Sequence, residues 1–247
     1  AHSCPHCWRS KSPVIFRAMD QWFVNIDHDG FRDKALAAID SINWVPGWGR
    51  NRIEGAVQSR PDWCISRQRS WGVPIPAFYD AQGEPILDHQ IVRNTADLVQ
   101  KNGSNIWFER ELTDLWAAVK PSDWNGPEAE GKSTDTLDVW IDSGSSSRSV
   151  LMQRDELGRP NAEAGTPDSW QADYYLEGSD QHRGWFQSSL LLSLAGNGVA
   201  PYRNVLTHGF MVDADREKIS KSKQDGGYAK PQTAEAYISQ YGADIVR

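Results

Sequence analysis

The stretch LEGSDQHRGWFQSS, residues 176–189, decides the predicted fold. Its pattern predicts a strand over Asp173–Leu176, a tight loop, and a helix over Arg183–Ala195 that ends at Gly196. Doubly wound sheets bind their ligands at the carboxyl ends of strands, beside the N-termini of helices. The loop between this strand and this helix is therefore the first candidate for a ligand site.

Strands and helices alternate around this unit, which predicts an α/β fold with a parallel sheet. The other predicted strands are Leu137–Ile141 and one within Val205–Val212; the other predicted helices are Phe31–Ile39, Thr95–Lys101 with Gly103 as its end, Thr233–Tyr241 and the start of one at 243–247. Residues 44–54 and 121–135 are rich in Gly and Pro and predict loops, and Phe78–Ile86 predicts a hairpin.

Several residues of the first loop suit ligand binding. Gly178 would let a ligand approach the backbone closely, and Asp180 could accept hydrogen bonds from ribose hydroxyls. Gln181 and Trp185 are four residues apart, which places them on one face of a helix. From spacing alone a plainer alternative stays open, in which Asp180 is only an N-cap and Trp185 only a core residue.

The composition is that of an ordinary globular protein. The chain has 247 residues, 39% of them hydrophobic and 24% charged, and can hold one large domain or a domain with an insertion. Its net charge of −7 gives no support for RNA binding by the chain as a whole, since nucleic-acid binders often carry a basic balance. Three cysteines without a disulfide framework favour a reducing compartment, so we expect a cytoplasmic protein. No apolar run approaches about 18 residues, and no membrane partner is predicted.

A second motif lies in the segment KISKS, residues 218–222. Lys218 and Lys221 could place two ammonium groups on one polyphosphate, where they would stabilise negative charge that develops during phosphoryl transfer. A lone KxxK pattern is more often a solvated surface loop, and that alternative stays open from the residues alone.

Three segments resemble the isoleucyl branch of the class I aminoacyl-tRNA synthetases. LEGSDQHRGWF is similar to the adenylate and isoleucine site of that branch over eleven consecutive positions. DVWIDSG (138–144) resembles its DVWFDSG strand, and THGFMVD (207–213) with KISKS resembles the passage that ends in KMSKS. The resemblance covers the whole chain. It implies the second half of a Rossmann-like parallel sheet with an inserted connective subdomain, and ATP-dependent activation of isoleucine followed by transfer to tRNA(Ile).

The resemblance also implies a role for each matching residue. Contact with ATP and the adenylate is implied for Glu177, Gly178, Asp180, Gln181, His208, Gly209, Phe210, Met211 and Lys221. Trp140, Gln181 and Trp185 are implied to form the isoleucine pocket, where two indoles would supply apolar area. Lys218 and Lys221 are the implied catalytic residues, which would stabilise the phosphates. ATP would bind with Mg²⁺, and the expected partners of a monomeric protein are ATP, isoleucine and tRNA(Ile).

The chain departs from the family pattern in the KISKS loop. Ile219 stands where the family usually has Met, which is an apolar replacement. Lys223–Tyr228 stands where the family has a short Gly-Asn exit, so the resemblance does not fix the length of this loop.

The segment Trp63–Gly72, WCISRQRSWG, resembles a block shared by the leucyl, isoleucyl and valyl enzymes. Arg67 and Arg69 are candidates for RNA or phosphate contacts. Cation–π packing of these two arginines on Trp63 and Trp71 is an equally weighted alternative.

Cys4 and Cys7 form a CPHC segment, which supplies half of a tetrahedral zinc site. Cys64 stands alone in the sequence. In some members of the family a pair at this place completes a zinc site with a second pair far upstream. A zinc site could therefore form in a longer parent protein, and no metal site is predicted for this chain.

No HIGH-like motif is present, so the chain is predicted to be a piece of a longer enzyme and to be inactive alone. The predicted divisions are the returning end of an editing insertion with its junction (1–50), catalytic domain (51–74 and 137–230, the latter with the KISKS loop), a connective insertion (75–136), and the start of a helical region that leads to an anticodon-binding domain (231–247). A valyl or leucyl enzyme, or an RNA-binding relative without catalysis, are the alternatives.

Overall fold

The structure is a computed structural model that describes residues 4–7, 10–212, 215–216, 218–219 and 233–246. The chain divides into two compact units. The first unit consists of Ala1–Lys34 and Ser59–Ser146, and the second consists of Ala35–Gln58 and Ser147–Arg247. The predicted site residue Lys221 and the segment 223–228 lie outside the described residues.

The secondary structure follows in chain order. The strands are β1 (Phe23–Val24), β2 (Asn43–Val45), β3 (Trp63–Cys64), β4 (Ser66–Arg67), β5 (Phe78–Tyr79), β6 (Pro85–Ile86), β7 (Gly131–Lys132), β8 (Thr136–Leu137), β9 (Ala172–Gly178) and β10 (Tyr202–His208). The helices are α1 (Phe31–Asp40), α2 (Trp48–Gln58), α3 (His89–Asn102), α4 (Ile106–Glu109), α5 (Leu112–Val119), α6 (Val139–Gly144), α7 (Ser146–Ser149), α8 (Pro167–Trp170), α9 (Trp185–Asn197), α10 (Ala234–Tyr241) and α11 (Ala243–Val246). Short 3-10 turns cover His28–Gly30, Leu151–Gln153, Asp155–Leu157 and Ser179–Arg183.

The second unit is built on a three-stranded parallel sheet in the order β2-β10-β9. In the central strand β10, Val205 is the register partner of Trp44 in β2 and of Tyr175 in β9. All three side chains are buried, together with Tyr202 and with Phe186 of α9. Large aromatic residues thus supply much of the apolar area that holds the sheet and the helix together. The predicted parallel α/β sheet is confirmed for this unit.

The first unit contains three small antiparallel sheets, β1-β3, β4-β8 and β6-β5-β7. Its apolar cluster consists of Phe78, Ile86, Ile91, Trp107, Leu115, Trp116 and Val119. The fully buried indole of Trp107 donates its Nε1–H to the carbonyl of Ser133 at 2.8 Å, so its polar atom is satisfied. The predicted hairpin at Phe78–Ile86 is confirmed, because Phe78 pairs with Ile86.

The prediction of a loop at 44–54 was wrong. Asn43–Val45 is a strand of the parallel sheet, and Trp48–Gln58 is a helix. The helix buries Ile53, Ala56 and Val57, whose spacing defines one helical face. Pro46 and Gly47 separate the strand from the helix, whereas Gly49 lies inside the helix and is buried.

The predicted strand at Leu137–Ile141 was also wrong beyond its first residue. The strand β8 ends at Leu137, and α6 begins at Val139. Asp138 is the N-cap, and its carboxylate accepts the backbone N–H of Trp140, which ends the extended backbone.

Other boundaries differ by a few residues. Helix α9 runs to Asn197 and ends at Gly198, whose φ of 75° is left-handed, so Gly196 lies inside the helix and is not its end. Helix α3 is longer than predicted but ends before Gly103 as expected. The strand predicted within Val205–Val212 is Tyr202–His208.

Candidate functional site

The carboxyl ends of β9 and β10 bring most of the predicted adenylate residues together. In the parallel register Glu177 lies beside Thr207, and Gly178 lies beside His208. The side chains of Glu177, Asp180 and His208 are exposed there, as are Gly209, Phe210 and Met211 that follow β10. Doubly wound sheets bind their ligands at the carboxyl ends of their strands, which is where these residues lie. Most of the predicted adenylate residues thus lie near one another in the second unit, and their contact with a ligand stays a prediction.

Gln181 connects the loop to the helix that follows. Its side-chain oxygen accepts the backbone N–H of Trp185 at 2.9 Å, at the first residue of α9. Asp180 does not cap a helix, because the residue before α9 is Gly184 and the residue before the 3-10 turn is Gly178. The plain interpretation of Asp180 as an N-cap was therefore wrong, and its carboxylate faces solvent.

The indole of Trp185 is held by a stacked aromatic partner. Its ring lies 4.0 Å from that of Tyr175 with an angle of 5° between the planes. Tyr175 is 4% exposed and belongs to the sheet core, whereas Trp185 is half-buried. The helix thus presents Trp185 at the border between the core and the surface, in a fixed orientation. Both the core interpretation and the pocket interpretation fit this position.

His182 packs inside the 3-10 turn Ser179–Arg183 that follows β9, and the sequence did not single it out. The residue is fully buried; its Nδ1 lies 2.9 Å from the carbonyl of Ser179, and its Nε2 lies 3.5 Å from Oγ1 of Thr207. Burial lowers the pKa of His182, and Arg52 contributes in the same direction. The neutral ring would donate from Nδ1 and accept at Nε2, which ties the 3-10 turn to β10. His182 stands in the sequence among polar residues predicted to bind a ligand, and no local pattern indicated that its side chain is buried.

Phe210 contacts both the end of β9 and Lys218 of the KISKS segment. A side-chain carbon added to Gly178 would lie 2.8 Å from Cε1 of Phe210, so the ring rests directly on this glycine. The Nζ atom of Lys218 lies 3.5 Å from the centre of the same ring, within cation–π distance. An antiparallel backbone bridge pairs Val212 with Lys218. The structure therefore brings Lys218 to the other predicted site residues, whereas Lys221 lies outside the described residues.

Trp140 lies in the first unit, at the second position of α6, and is 40% exposed. Trp185 belongs to the second unit. The pocket that Trp140 was expected to share with Gln181 and Trp185 therefore stays a prediction.

Arg67 and Arg69 of the WCISRQRSWG segment lie in different environments. Arg67 forms an ion pair of 3.0 Å with Asp138, and it also donates to the carbonyl of Ser66 at 2.7 Å. The guanidinium that lies over Trp63, at 5.0 Å, is that of Arg60. Cation–π packing of Arg67 on Trp63 was therefore the wrong alternative. Arg69 is exposed.

Cys4 is exposed and Cys7 half-buried in a turn in which Ser10 donates its N–H to the Cys7 sulfur at 3.5 Å. Across the described ranges, no group of three or more His, Cys, Asp or Glu residues is arranged to hold a metal ion. The two thiols supply half of the ligands that a tetrahedral zinc site needs. In the same part of the chain, every helix is too short or too polar to span a bilayer.

Comparison with known proteins agrees with the resemblance noted in the sequence. Residues 9–247 match the family of class I tRNA synthetases (I, L, M and V). The isoleucine–tRNA ligase of Geobacter sulfurreducens is 51% identical over 247 residues, which are 100% of this chain and 25% of that protein. The ligase of Methylacidiphilum infernorum is 52% identical over 248 residues, 100% of this chain and 24% of its own length. The chain thus spans about a quarter of the curated relatives it matches.

A solved structure shows the same fold at low sequence identity. The crystal structure of Mycobacterium tuberculosis methionyl-tRNA synthetase bound by methionyl-adenylate superposes with a TM-score of 0.53 at 18% identity. The match covers 98% of this chain and 35% of that one. At this identity the likeness supports the fold alone.

Proposed function

Because the chain belongs to the family of class I tRNA synthetases (I, L, M and V), we propose that it forms the adenylate-binding, KISKS-bearing part of an isoleucine–tRNA ligase. The observation that carries this proposal is the cluster of accessible residues where β9 and β10 end. In such a ligase ATP, isoleucine and tRNA(Ile) would be the partners, and this chain alone would not complete the reaction.

In the proposed reaction the isoleucine carboxylate attacks the α-phosphate of ATP. The new bond is a carboxyl–phosphate anhydride, and the bond to the β-phosphate breaks as pyrophosphate leaves. Mg²⁺ bound with ATP would supply counter-charge to the leaving phosphates. A hydroxyl of the terminal tRNA ribose then attacks the carbonyl of the adenylate and releases AMP. The protein would act by positioning and electrostatics, without a covalent nucleophile.

The described residues have distinct tasks in this scheme. The exposed carboxylate of Asp180 would accept hydrogen bonds from ribose hydroxyls. Gln181 lies in the 3-10 turn before α9 and not on the same helix as Trp185, but its side-chain oxygen accepts the backbone N–H of Trp185, the first residue of α9. We propose that this contact holds both residues toward the amino acid. Lys218 would move from the ring of Phe210 to the phosphates, since an ammonium held by about 0.5–1 kcal/mol at an exposed aromatic face can exchange that contact for a phosphate. Lys221 would join it.

Selectivity for isoleucine would come from apolar area, with Trp140 and Trp185 as the proposed walls. One methylene separates valine from isoleucine and is worth about 1–3 kcal/mol, for which isoleucine–tRNA ligases themselves are the standard example. We propose that the catalytic domain includes 51–74 and 137–230, with a connective insertion at 75–136, and that hydrolysis of valine products requires an editing domain elsewhere in the ligase.

The test uses a complete ligase, meaning a full-length protein that contains this sequence at the position where it aligns with the relatives. Exchange of labelled pyrophosphate into ATP is measured with isoleucine, valine, leucine and methionine as separate substrates. We expect exchange with isoleucine, weaker exchange with valine and none above background with the other two. Exchange that is strongest with leucine or methionine would refute the assignment to isoleucine, and no exchange with any of the four would favour a relative without catalysis.

A further inference from the structure

Asp138 is a buried carboxylate with a complete set of donors inside the first unit. The residue is 4% exposed. Its Oδ2 atom accepts from Nε1 of Trp63 at 3.0 Å and from the guanidinium of Arg67 at 3.0 Å. Its Oδ1 atom accepts the backbone N–H of Trp140 at 3.4 Å. Its own backbone N–H donates to the carbonyl of Ile65 at 2.7 Å.

The partners of this carboxylate are themselves fixed. Arg67 also donates to the carbonyls of Cys64 at 3.0 Å and Ser66 at 2.7 Å, so its guanidinium cannot turn without breaking several bonds. Trp63 is 6% exposed and carries the guanidinium of Arg60 over its ring. Because a buried charge is costly unless it is paired, Asp138 has one favourable position in this cluster.

Helix α6 depends on this anchor. The helix has only six residues, Val139–Gly144, and helices far shorter than about 12 residues are marginal in water without tertiary contacts. Trp140 is the second residue of the helix, two positions after Asp138. A shift of the Asp138 cap would therefore displace the indole of Trp140 more directly than any other large side chain of α6.

We propose that Asp138 is the positioning residue for Trp140. The strands β3 and β4 hold the carboxylate through Trp63 and Arg67, and the carboxylate fixes the start of α6 and with it the indole. This inference rests on the proposed function in one respect, namely that Trp140 faces isoleucine. It assigns Arg67 to the support of the amino-acid pocket and not to RNA contact.

The test compares two aspartates that both cap helices of the first unit. Asp138→Asn keeps an acceptor oxygen and removes the charge that Arg67 needs. Asp88→Asn is the matched control, because Asp88 caps α3 by accepting from Gln90 at 2.8 Å and Ile91 at 3.0 Å. Both variants are made in the complete ligase.

For Asp138→Asn we expect the KM for isoleucine in pyrophosphate exchange to rise about tenfold and the preference for isoleucine over valine to fall, since misplacement of a binding group weakens positioning. The KM for ATP should stay within about twofold, because the carboxylate touches no predicted ATP residue. Asp88→Asn should leave both KM values unchanged. An unchanged KM for isoleucine in Asp138→Asn, or equal rises for isoleucine and ATP, would overturn the proposal.

Two further variants separate positioning from general damage. Arg67→Gln should reproduce the effect of Asp138→Asn, and the double variant should be no worse than either single one, because both remove the same ion pair. Additive losses would show that the two residues act independently and would overturn the pairing.

A second readout does not depend on activity. The ligase is labelled with 5-fluorotryptophan, and the ¹⁹F resonance of Trp140 is assigned by its loss in Trp140→Phe. Asp138→Asn should move or broaden that resonance, and Asp88→Asn should not. If the native ligase fails to activate isoleucine, the proposed function is wrong, and the resonance alone decides whether Asp138 positions Trp140.

Discussion

Gly178→Ala tests whether the ring of Phe210 rests on Gly178, the last residue of β9. The new methyl carbon would lie 2.8 Å from Cε1 of Phe210 and 3.0 Å from Oδ1 of Asp180. Carbon atoms in favourable contact lie about 3.5–4.0 Å apart, so the ring must move by roughly 1 Å. The backbone of Gly178, with φ of −74° and ψ of 167°, already suits alanine, and the cost is therefore steric alone.

The magnitude follows from what the ring can do. Overpacking costs about 1–3 kcal/mol in a tight core, but Phe210 is 38% exposed and can turn outward, which favours the low end of that range. Turning outward would also weaken the cation–π contact with Lys218, worth about 0.5–1 kcal/mol at an exposed site. We expect Gly178→Ala to lower the free energy of unfolding by roughly 1–2 kcal/mol.

The assay is urea unfolding of the chain, followed by tryptophan fluorescence. Gly55→Ala is the matched control, because a methyl group there meets no atom within 4 Å and the residue lies inside α2. Replacement of a helical glycine by alanine should raise stability by about 0.5–1 kcal/mol. If Gly178→Ala proves as stable as the native chain while Gly55→Ala behaves as expected, Phe210 does not occupy this place.

Three further predictions concern other parts of the chain. Asp88→Ala removes the cap of α3 from the N–H groups of Gln90 and Ile91 and should lower the unfolding free energy by about 1 kcal/mol, as read from the urea midpoint; an unchanged midpoint would contradict the cap. Burial lowers the pKa of His182, so as pH falls below about 6.5 the unfolded chain takes up a proton at this residue that the folded chain does not. The free energy of unfolding should therefore decline as pH falls through that window. The urea midpoint is measured against pH, and a His182→Gln variant that shows the same pH dependence as the native chain would rule His182 out as its source. In the complete ligase, Lys221→Ala should slow adenylate formation far more than it weakens isoleucine binding, because its charge is needed most in the transition state; a normal rate in rapid-quench measurements would argue against this role.

The sequence predicted the parts of the fold that depend on local signals. The hairpin at Phe78–Ile86 and the helix ending at Gly103 follow from turn and cap residues, and both are observed. The carboxyl ends of β9 and β10 could also be located, because the loop motif and the KISKS segment each follow a strand.

The errors arose where tertiary contacts outweighed local composition. Trp44 stands close to Pro and Gly residues, yet it belongs to β2, an outer strand of the parallel sheet, and its buried indole donates to the carbonyl of Ile39. The apolar run at 137–141 has the composition of a strand, but the buried carboxylate of Asp138 caps a helix there. The inward position of His182 depends on partners distant in sequence, such as Thr207, and no local pattern could reveal it.

We propose that the residues at the carboxyl ends of β9 and β10 hold isoleucyl-adenylate. The most direct measurement is a crystal structure of the complete ligase with a non-hydrolysable analogue of that adenylate. We expect the ribose within about 2.6–3.2 Å of the Asp180 carboxylate, the isoleucine side chain against Trp185, and the adenine beside the backbone of Gly209 and Phe210. An analogue bound away from the carboxyl ends of these two strands, with Asp180 still facing solvent, would contradict it.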